Sequence, residues 1–377
     1  MKSKIINILK KNYSVYRLIS FCKGVIFDFK YWKLSLKWNL ESNFLIDITT
    51  FHNSNVDKNL NVVWCGINEN QDRSGLIQGL DKIFKLDIFY RPNNEYGLIN
   101  SSIYNLDSID ENGELLYNYL KMRLETDQID YLIGQFMGFN INNYWLERIQ
   151  NLEIKIISLS WDDKLENLWN KDYKLSCHSI SKNINYVLCS SLEPLKAYVN
   201  SNPIFFPLGS YDEVFCGDPF SNKTIDVLFI GNQYGARKNH IDFLIKNKIN
   251  VEFYGRDWGT KFLSFKECAQ KFKQAKIILG IGYVSHSTKI TTLKLRDFDA
   301  SISGALYLTT ENEELKKLFP NNEIEYYKSK RELLKKIKFY LRNDNLRTER
   351  AAELQKFTVN NYSWDILFKK LNSLLNK

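Results

Sequence analysis

A short segment near the C-terminus combines a cation, a carboxylate and a hydroxyl at helical spacing. Arg296, Asp299 and Ser303 lie three and four residues apart in LKLRDFDASISGALYLTT, so they share one face if the segment is helical. The apolar residues of the segment fall on the opposite face: Leu295, Phe298 and Ile302. A guanidinium binds phosphate oxygens, and a carboxylate accepts hydrogen bonds from hydroxyls. The spacing therefore predicts a helix that packs on a sheet and holds a ligand with phosphates and hydroxyls at its edge.

The surrounding sequence predicts an α/β protein with two similar domains. Gly304 suits the C-terminus of the helix, and ALYLTT after it is typical of a buried strand. Strand–loop–helix–strand patterns occur from 61 to 209 and again from 225 to 310. A polar segment at 210–224 that contains Gly and Pro separates the two series. We predict a Rossmann-like domain at 59–215 and a second one at 216–360, both doubly wound.

Ligands of such sheets bind beyond the carboxyl ends of the strands. The loops that follow the predicted strands would then line one central cleft that the two domains face. These segments are 66–75, 161–163, 231–237, 255–259, 282–289 and 296–299.

Residues of the second domain suit the phosphates of such a ligand. Gly231 ends a predicted strand and would let backbone N–H groups approach a diphosphate. Arg237 follows in the same loop and supplies a cation. Lys294 and Arg296 compete for a second cationic role. Each of these cations could instead be a solvated surface charge, but as a set around one cleft they predict at least one phosphate contact.

Composition excludes several functional classes. The 377 residues are 44% hydrophobic and 25% charged, as in ordinary globular proteins. The six cysteines and four histidines show no metal-ligand spacing, so we predict no metal site. No apolar run is long enough for a membrane span and no signal-peptide pattern is present, so we expect a cytoplasmic protein. No nucleophile elbow occurs, which disfavours hydrolase chemistry.

Positive charge is concentrated at the N-terminus. Residues 1–40 contain nine of the 52 Lys and Arg residues but only one acid, Asp28, whereas the rest of the chain is nearly balanced. This balance argues against a nucleic-acid groove. Large aromatic residues lie among the lysines of this extension, which we place at 1–58. Such a helical segment either lies on an anionic membrane surface or packs its aromatics on the domain and leaves its lysines in water.

Five segments together carry a family resemblance. They are DVLFIGNQYGAR, VEFYGRDWG, LKLRDFDASISGALYLTT, RELLKKIKFYLRND and NNYSWDILF. In their order and spacing, residues 225–371 resemble the C-terminal domain of the glycosyltransferase group 1 superfamily. The branch they resemble most is that of the spore-maturation-protein-like (CgeB-like) glycosyltransferases. The resemblance implies a GT-B fold and a terminal helix, 361–377, that crosses back to the first domain.

The resemblance also implies roles for several residues. Asp299 matches the second acid of the superfamily's paired-glutamate motif, which binds ribose hydroxyls; the alternative is a surface ion pair with Arg296. The first acid is replaced by Thr291. Gly255 opens the loop near which related enzymes read the base, and Trp258 in that loop either stacks on the base or packs in the core. No bound metal is needed, because helix N-termini and basic side chains stabilise the leaving diphosphate.

Two residues are our candidates for catalysis. Asp163 lies at the carboxyl end of a predicted strand, where a base or an acceptor-binding acid can lie; the alternative is a helix N-cap. His286 lies just before the ligand helix and is expected to face the cleft. It would bind phosphate or sugar hydroxyls, or it is a plain loop residue.

These expectations combine into one functional prediction. The chain is a glycosyltransferase that moves a hexose from a UDP- or GDP-sugar, bound by the second domain, to a hydroxyl of an acceptor on the first. Retention of configuration is favoured over inversion. The acceptor is a surface glycan or a lipid-linked glycoconjugate, and the membrane is reached through residues 1–40. Two alternatives stay open: a nucleotide-sugar epimerase of the same fold, and a non-catalytic protein that binds a membrane surface.

Overall fold

The computed structural model describes residues 13–41, 46–51, 60–101, 105–165 and 175–376. These residues divide into two compact units. The N-terminal unit holds the described residues from 37 to 216 and from 355 to 376, and the C-terminal unit holds those from 13 to 36 and from 217 to 354. No described helix combines the length and the apolarity that crossing a membrane requires.

Helices and strands alternate along most of the described chain. The helices are α1 Tyr13–Glu41, α2 Glu69–Asp72, α3 Leu76–Ile83, α4 Ile109–Arg123, α5 Asn143–Gln150, α6 Leu192–Leu195, α7 Asp212–Phe215, α8 Arg237–Lys246, α9 Phe265–Gln274, α10 Leu295–Ile302, α11 Glu313–Leu318, α12 Lys330–Arg342, α13 Asp344–Tyr362 and α14 Trp364–Leu375. The strands are β1 Ile46–Asp47, β2 Asn61–Cys65, β3 Lys85–Ile88, β4 Tyr90–Arg91, β5 Glu95–Tyr96, β6 Tyr131–Gly134, β7 Lys155–Ser160, β8 Tyr186–Cys189, β9 Asn202–Phe205, β10 Ile225–Ile230, β11 Val251–Tyr254, β12 Ala275–Leu279, β13 Leu306–Thr310 and β14 Glu325–Tyr327.

The N-terminal unit is built on a parallel sheet with the strand order β1-β9-β8-β7-β6-β2-β3. Its central strands read as continuous apolar runs because parallel sheets are covered on both faces. Val62 to Cys65 and Tyr131 to Gly134 are buried throughout. The remaining described strands, β4 and β5, form a separate antiparallel pair.

The C-terminal unit contains a second parallel sheet, ordered β11-β10-β12-β13-β14. This is the order of flavodoxin-like doubly wound sheets, in which the strand order reverses between the first strand and the third. Here the reversal lies between β10 and β12. Ile230 pairs with Tyr254 at the carboxyl ends of β10 and β11, which places the two loops that follow side by side. Both units are Rossmann-like, as the sequence predicts.

The last helix, α14, packs within the N-terminal unit. Ser363 caps it by accepting a hydrogen bond from the amide of Ile366. Gly79 on α3 has no side chain, and a Cβ added there would lie 2.7 Å from the Cβ of Trp364. This close approach is the physical reason for a glycine in the middle of α3.

Gly304 ends α10 in the left-handed conformation, with φ +74°, as the sequence predicts. A Cβ at this position would also lie 2.8 Å from the carbonyl oxygen of Gly217. We expect Gly304→Ala to lower the free energy of unfolding by more than the roughly 1 kcal/mol that a left-handed backbone costs. Gly259→Ala is the matched control, because Gly259 has φ +73° and open space around it. Equal losses in urea denaturation of the two variants would contradict the steric argument.

Candidate functional site

Two loops of the C-terminal unit are joined at the carboxyl ends of β10 and β11. The amide of Gln233 donates to the carbonyl of Arg256 at 2.9 Å, and the amide of Arg256 donates to Oδ1 of Asn232 at 3.0 Å. Gly255 has φ +133°, and a Cβ there would lie 2.5 Å from the carbonyl oxygen of Gly231. Gly255 is thus needed for the close approach of the two loops, which fixes the backbone beyond β10.

Two arginine side chains converge on Gly231. A Cβ at Gly231 would lie 2.6 Å from Nη1 of Arg296 and 3.2 Å from Nη1 of Arg237. Both guanidinium groups also lie over the ring of Phe229, at 4.9 Å for Arg296 and 5.7 Å for Arg237. The structure therefore brings together Gly231, Arg237 and Arg296, which the sequence analysis named as separate candidates for the phosphates.

Arg296 spans the point at which the strand order reverses. It comes from the first turn of α10, and its Nη1 donates to the carbonyl of Ile230, the last residue of β10. Its Nη2 donates to the carbonyl of Ile281, just beyond β12, at 3.5 Å. Ligands of doubly wound sheets bind at this position. The side chain thus carries a positive charge to the place where such a fold binds its ligand.

Neither arginine has a carboxylate partner among the described residues. Their side chains are 5% (Arg237) and 9% (Arg296) exposed, and the Nε of each is buried without a hydrogen-bond partner. Burial, together with the neighbouring charge of Arg296, lowers the pKa of Arg237 to about 10. Buried charges are normally paired, because an unpaired charge is costly to remove from water. Two adjacent, unpaired guanidinium groups are therefore an arrangement that a bound anion would stabilise.

The two acids of α10 have different surroundings. Asp297 is 1% exposed; its Oδ2 accepts from the amide of Lys294 at 2.7 Å and its Oδ1 accepts from the hydroxyl of Tyr307. Asp299 is 6% exposed and lies close enough to Cys268 to raise the pKa of that thiol, after the larger effect of burial. Asp297 thus stabilises the start of the helix. No role is predicted for Asp297 from the sequence, although its place three residues after Lys294 fits a helix-capping acid.

Trp258 is half-buried and packs against the core of the C-terminal unit. Its ring lies 5.0 Å from that of Phe253 and 5.9 Å from that of Phe229, and its indole N–H donates to the carbonyl of Gly231 at 2.7 Å. In this position the indole is hydrogen-bonded to the loop that follows β10 and helps to hold it in place. Stacking on a base, the other role considered for Trp258, stays a prediction.

Lys294 immediately precedes α10 and is half-buried. Its backbone amide is used in capping the helix, as described for Asp297. Lys294 lies two residues before Arg296 in the chain, and it remains a candidate for the phosphates.

His286 lies in a loop that touches both the N-terminal helix and the loop beyond β10. Its Nδ1 is 2.9 Å from Oγ of Ser20 on α1, and a Cβ on Gly24 would lie 2.5 Å from its carbonyl oxygen. A Cβ on Gly235 would lie 2.4 Å from the carbonyl oxygen of Ser285. The predicted catalytic role of His286 is not tested by these contacts, which show it joining two elements of the C-terminal unit.

Asp163 is buried in the N-terminal unit, with 1% of its surface exposed. Its Oδ1 accepts from the hydroxyl of Tyr198, and its Oδ2 accepts from the thiol of Cys189 at 2.8 Å. These bonds give the carboxyl a structural role between β7 and β8, and a catalytic role stays a prediction. Among the described residues, no group of His, Cys, Asp and Glu side chains could hold a metal ion.

The buried carboxyl of Asp163 predicts a pH effect on stability. Burial raises its pKa from 3.8 to about 6, against the lowering effect of its hydrogen bonds. The folded chain therefore keeps a proton that the unfolded chain releases, so this group's contribution to the free energy of unfolding falls as pH rises from about 4 to 6 and stays low above it. We expect Asp163→Asn to remove this contribution. Urea denaturation of both proteins from pH 4 to 8 measures it; a parallel pH dependence of the two would contradict it.

Comparison with known proteins connects this site to a family. A model of a glycosyl transferase-like family matches residues 237–372. The match begins at Arg237 and includes Arg296 and Asp299. Among curated proteins, none matches the sequence.

Several solved structures share the fold. An alpha-glucosyltransferase in complex with UDP-glucose and DNA containing an abasic site has a TM-score of 0.58 at 9% identity, over 84% of this chain and 99% of that one. Sucrose-phosphate synthase from Thermosynechococcus elongatus has a TM-score of 0.53 at 12% identity, over 84% and 98%. A putative UDP-N-acetylglucosamine 2-epimerase from Listeria monocytogenes has a TM-score of 0.50 at 10% identity, over 84% and 95%. The chain therefore has the predicted GT-B fold, and its residues 237–372 match a glycosyl transferase-like family.

Proposed function

We propose that this protein is a glycosyltransferase that takes its sugar from a nucleoside diphosphate sugar. The observation that carries the proposal is the pair of buried, unpaired guanidinium groups of Arg237 and Arg296 beside Gly231. A diphosphate would supply the negative charge that these groups lack. The glycosyl transferase-like match and the GT-B fold support the same reaction class.

The proposed chemistry depends mainly on electrostatics. As the bond between the sugar and the diphosphate breaks, negative charge grows on the leaving phosphate oxygens. Guanidinium groups already fixed in place stabilise that charge without reorganisation. Arg296 is held by the carbonyls of Ile230 and Ile281, and Arg237 by that of Asn232 at 2.9 Å. We assign both side chains to the phosphates, with Lys294 as a further candidate.

We assign Asp299 to the ribose hydroxyls of the nucleotide. It lies three residues, or nearly one helical turn, after Arg296 on α10, so the two residues are neighbours on the helix surface. A carboxylate accepts two hydroxyl hydrogen bonds, which suits a ribose. UDP and GDP, a hexose as the transferred sugar and retention of configuration are the finer proposals, and they follow from the family resemblance.

We further propose a glycan or a lipid-linked glycoconjugate as the acceptor, in the synthesis of surface glycans. No metal is assigned to the reaction, since the cations of the site belong to the chain. We also propose Asp163 and His286 as catalytic residues, and substitution of each would test this role. The proposed location is the cytoplasm, with attachment of the protein to a membrane surface.

Nucleotide affinity is the direct test of this function. Calorimetric titration with UDP, GDP, dTDP and CMP, followed by the sugars of the tightest binder, should show one nucleoside diphosphate bound. Release of that diphosphate from its sugar in the presence of an acceptor extract should follow. Absence of binding by every nucleotide would overturn the proposal.

The epimerase alternative is favoured by one observation, the structural similarity to the putative UDP-N-acetylglucosamine 2-epimerase. The two functions separate when a UDP-sugar is incubated without an acceptor. An epimerase forms the epimeric sugar nucleotide, whereas a transferase leaves the sugar nucleotide unchanged or hydrolyses it slowly. NMR of the anomeric region distinguishes these results.

A further inference from the structure

Helix α1 has two apolar faces, and the protein covers only one of them. On the covered face, Gly24 packs against the backbone of His286, and Tyr31, Leu34 and Trp38 are buried. Ser20, on the same face, is bonded to the ring of His286. These contacts hold α1 in place, so the other face has a defined direction.

The uncovered face carries a stripe of large apolar side chains, which we call the outer stripe. Its members are Leu18, Phe21, Val25, Phe29, Trp32 and Leu36, each 47% to 66% exposed. They recur every three or four residues, and at about 100° per residue they fall within about 80° of one another. The rings of Phe29 and Trp32 lie 5.9 Å apart. The apolar surface is therefore continuous along about five turns of helix.

Such a stripe is unusual on a protein that is stable in water. Single exposed apolar residues are common, but a continuous patch marks a surface that binds something. Helix propensity does not explain the pattern, since Phe, Trp and Val are only moderate helix formers. The outer stripe is thus better explained by a partner than by the folding of the chain.

Charge on the flank of the stripe indicates what this partner is. Lys23, Lys30 and Lys33 are exposed. At about 100° per residue, Lys33 lies beside the stripe, and Lys23 and Lys30 lie farther round the helix, between the stripe and the covered face. Nζ of Lys33 lies 4.9 Å from the ring centroid of Phe29, so cation and apolar surface adjoin. Asp28 is the one acid in the sequence between 13 and 40. Helices with an apolar face and flanking lysines insert the apolar face among lipid chains and place the lysines at anionic headgroups.

We propose that the outer stripe of α1 docks the protein on an anionic lipid surface, with its aromatic side chains in the interfacial layer. A second copy of this chain fits less well, because two such helices would bring lysines together without acids to pair with them. The contacts of His286 and Gly235 connect α1 to the loop beyond β10. Docking would therefore hold the proposed diphosphate site close to the bilayer; this last step alone depends on the proposed function, whereas lipid binding does not.

Flotation of the full chain with vesicles tests the proposal. We expect binding to vesicles of phosphatidylcholine with phosphatidylglycerol, and much weaker binding to phosphatidylcholine alone. The double variant Phe29→Glu/Trp32→Glu should lose binding. Phe339→Glu is the matched control, because Phe339 on α12 is 48% exposed and lies outside the outer stripe; it should bind as the wild type does.

A second variant separates the role of charge. Lys23→Gln/Lys30→Gln/Lys33→Gln should weaken partitioning to the anionic vesicles on the order of 100-fold, since each lysine near such a surface contributes a gain of about fivefold. It leaves the apolar stripe intact and tests the proposal even if the glutamate variant fails to fold. Nucleotide binding in solution should be unchanged in both folded variants.

Three results would overturn the proposal. The first is no binding of the wild type to anionic vesicles. The second is equal binding by the wild type and both variants. The third is a dimer in sedimentation equilibrium that Phe29→Glu/Trp32→Glu dissociates, which would assign the outer stripe to a second copy of the chain.

Discussion

Arg237→Met is expected to weaken binding of a nucleoside diphosphate by about 10- to 100-fold, while the ligand-free protein melts at the same temperature or higher. The loss corresponds to about 1.5–3 kcal/mol, as for a hydrogen bond to a charged group. The gain or neutrality in stability follows from burial. In the wild type the guanidinium lies beside Arg296 without a carboxylate partner, and its pKa is lowered to about 10. Methionine fills much of the same space without the charge.

The combination of the two effects distinguishes a binding role from a structural one. Calorimetry measures affinity, and thermal unfolding without ligand measures stability. Lys246→Met, in the last turn of the same helix, is the control for removal of an exposed cation and should change neither. If Arg237→Met lowers the unfolding temperature and leaves the affinity unchanged, Arg237 serves the fold and not the ligand.

The second large effect is a contrast between two acids on one helix. Asp299→Asn should weaken nucleotide binding by about 10- to 100-fold, since a charged acceptor of ribose hydroxyls is lost, with little effect on folding. Asp297→Asn should do the reverse. The carboxylate oxygen of Asp297 that caps α10 accepts a hydrogen bond from the amide of Lys294 at 2.7 Å. Replacing this carboxylate with an amide should lower the free energy of unfolding by about 1–3 kcal/mol.

Both variants of this pair carry the same chemical change within two residues, so each is the control for the other. Urea denaturation gives the stability and calorimetric titration gives the affinity. An unchanged dissociation constant in Asp299→Asn would remove Asp299 from the site. A stability loss in Asp299→Asn as large as that in Asp297→Asn would show that both acids serve the helix.

The sequence is sufficient to predict elements whose pattern is local. The terminal helix expected within 361–377 is found as α14, because Ser363 caps it and its apolar residues recur at helical spacing. Strands of parallel sheets are predictable as short apolar runs. By contrast, β14 was missed: it has three residues, and Tyr326 and Tyr327 within it give no clear period.

The site was predictable in kind but not in geometry. Spacing indicated that Arg296 and Asp299 share a face, and the sequence named Gly231 and Arg237 without showing that the two arginines adjoin. Their proximity depends on the pairing of β10 with β12, which is not local. Nor could spacing distinguish Asp297 from Asp299, because only tertiary structure brings Tyr307 to one of them.

The N-terminal helix shows a different limit. Its sequence is apolar on most sides, so periodicity could not tell the covered face from the uncovered one. The structure separates them through Gly24, whose lack of a side chain permits contact with His286. Packing on the domain thus applies to one face of the helix, and the membrane surface that we propose would contact the opposite face.

Calorimetric comparison of uridine, UMP and UDP, with the guanosine series beside it, tests the central claim most directly. If Arg237 and Arg296 bind the diphosphate, affinity should rise from nucleoside to diphosphate in the wild type, and most of that rise should disappear in Arg237→Met/Arg296→Met. A rise of equal size in the double variant, or none in a correctly folded wild type, would contradict the account.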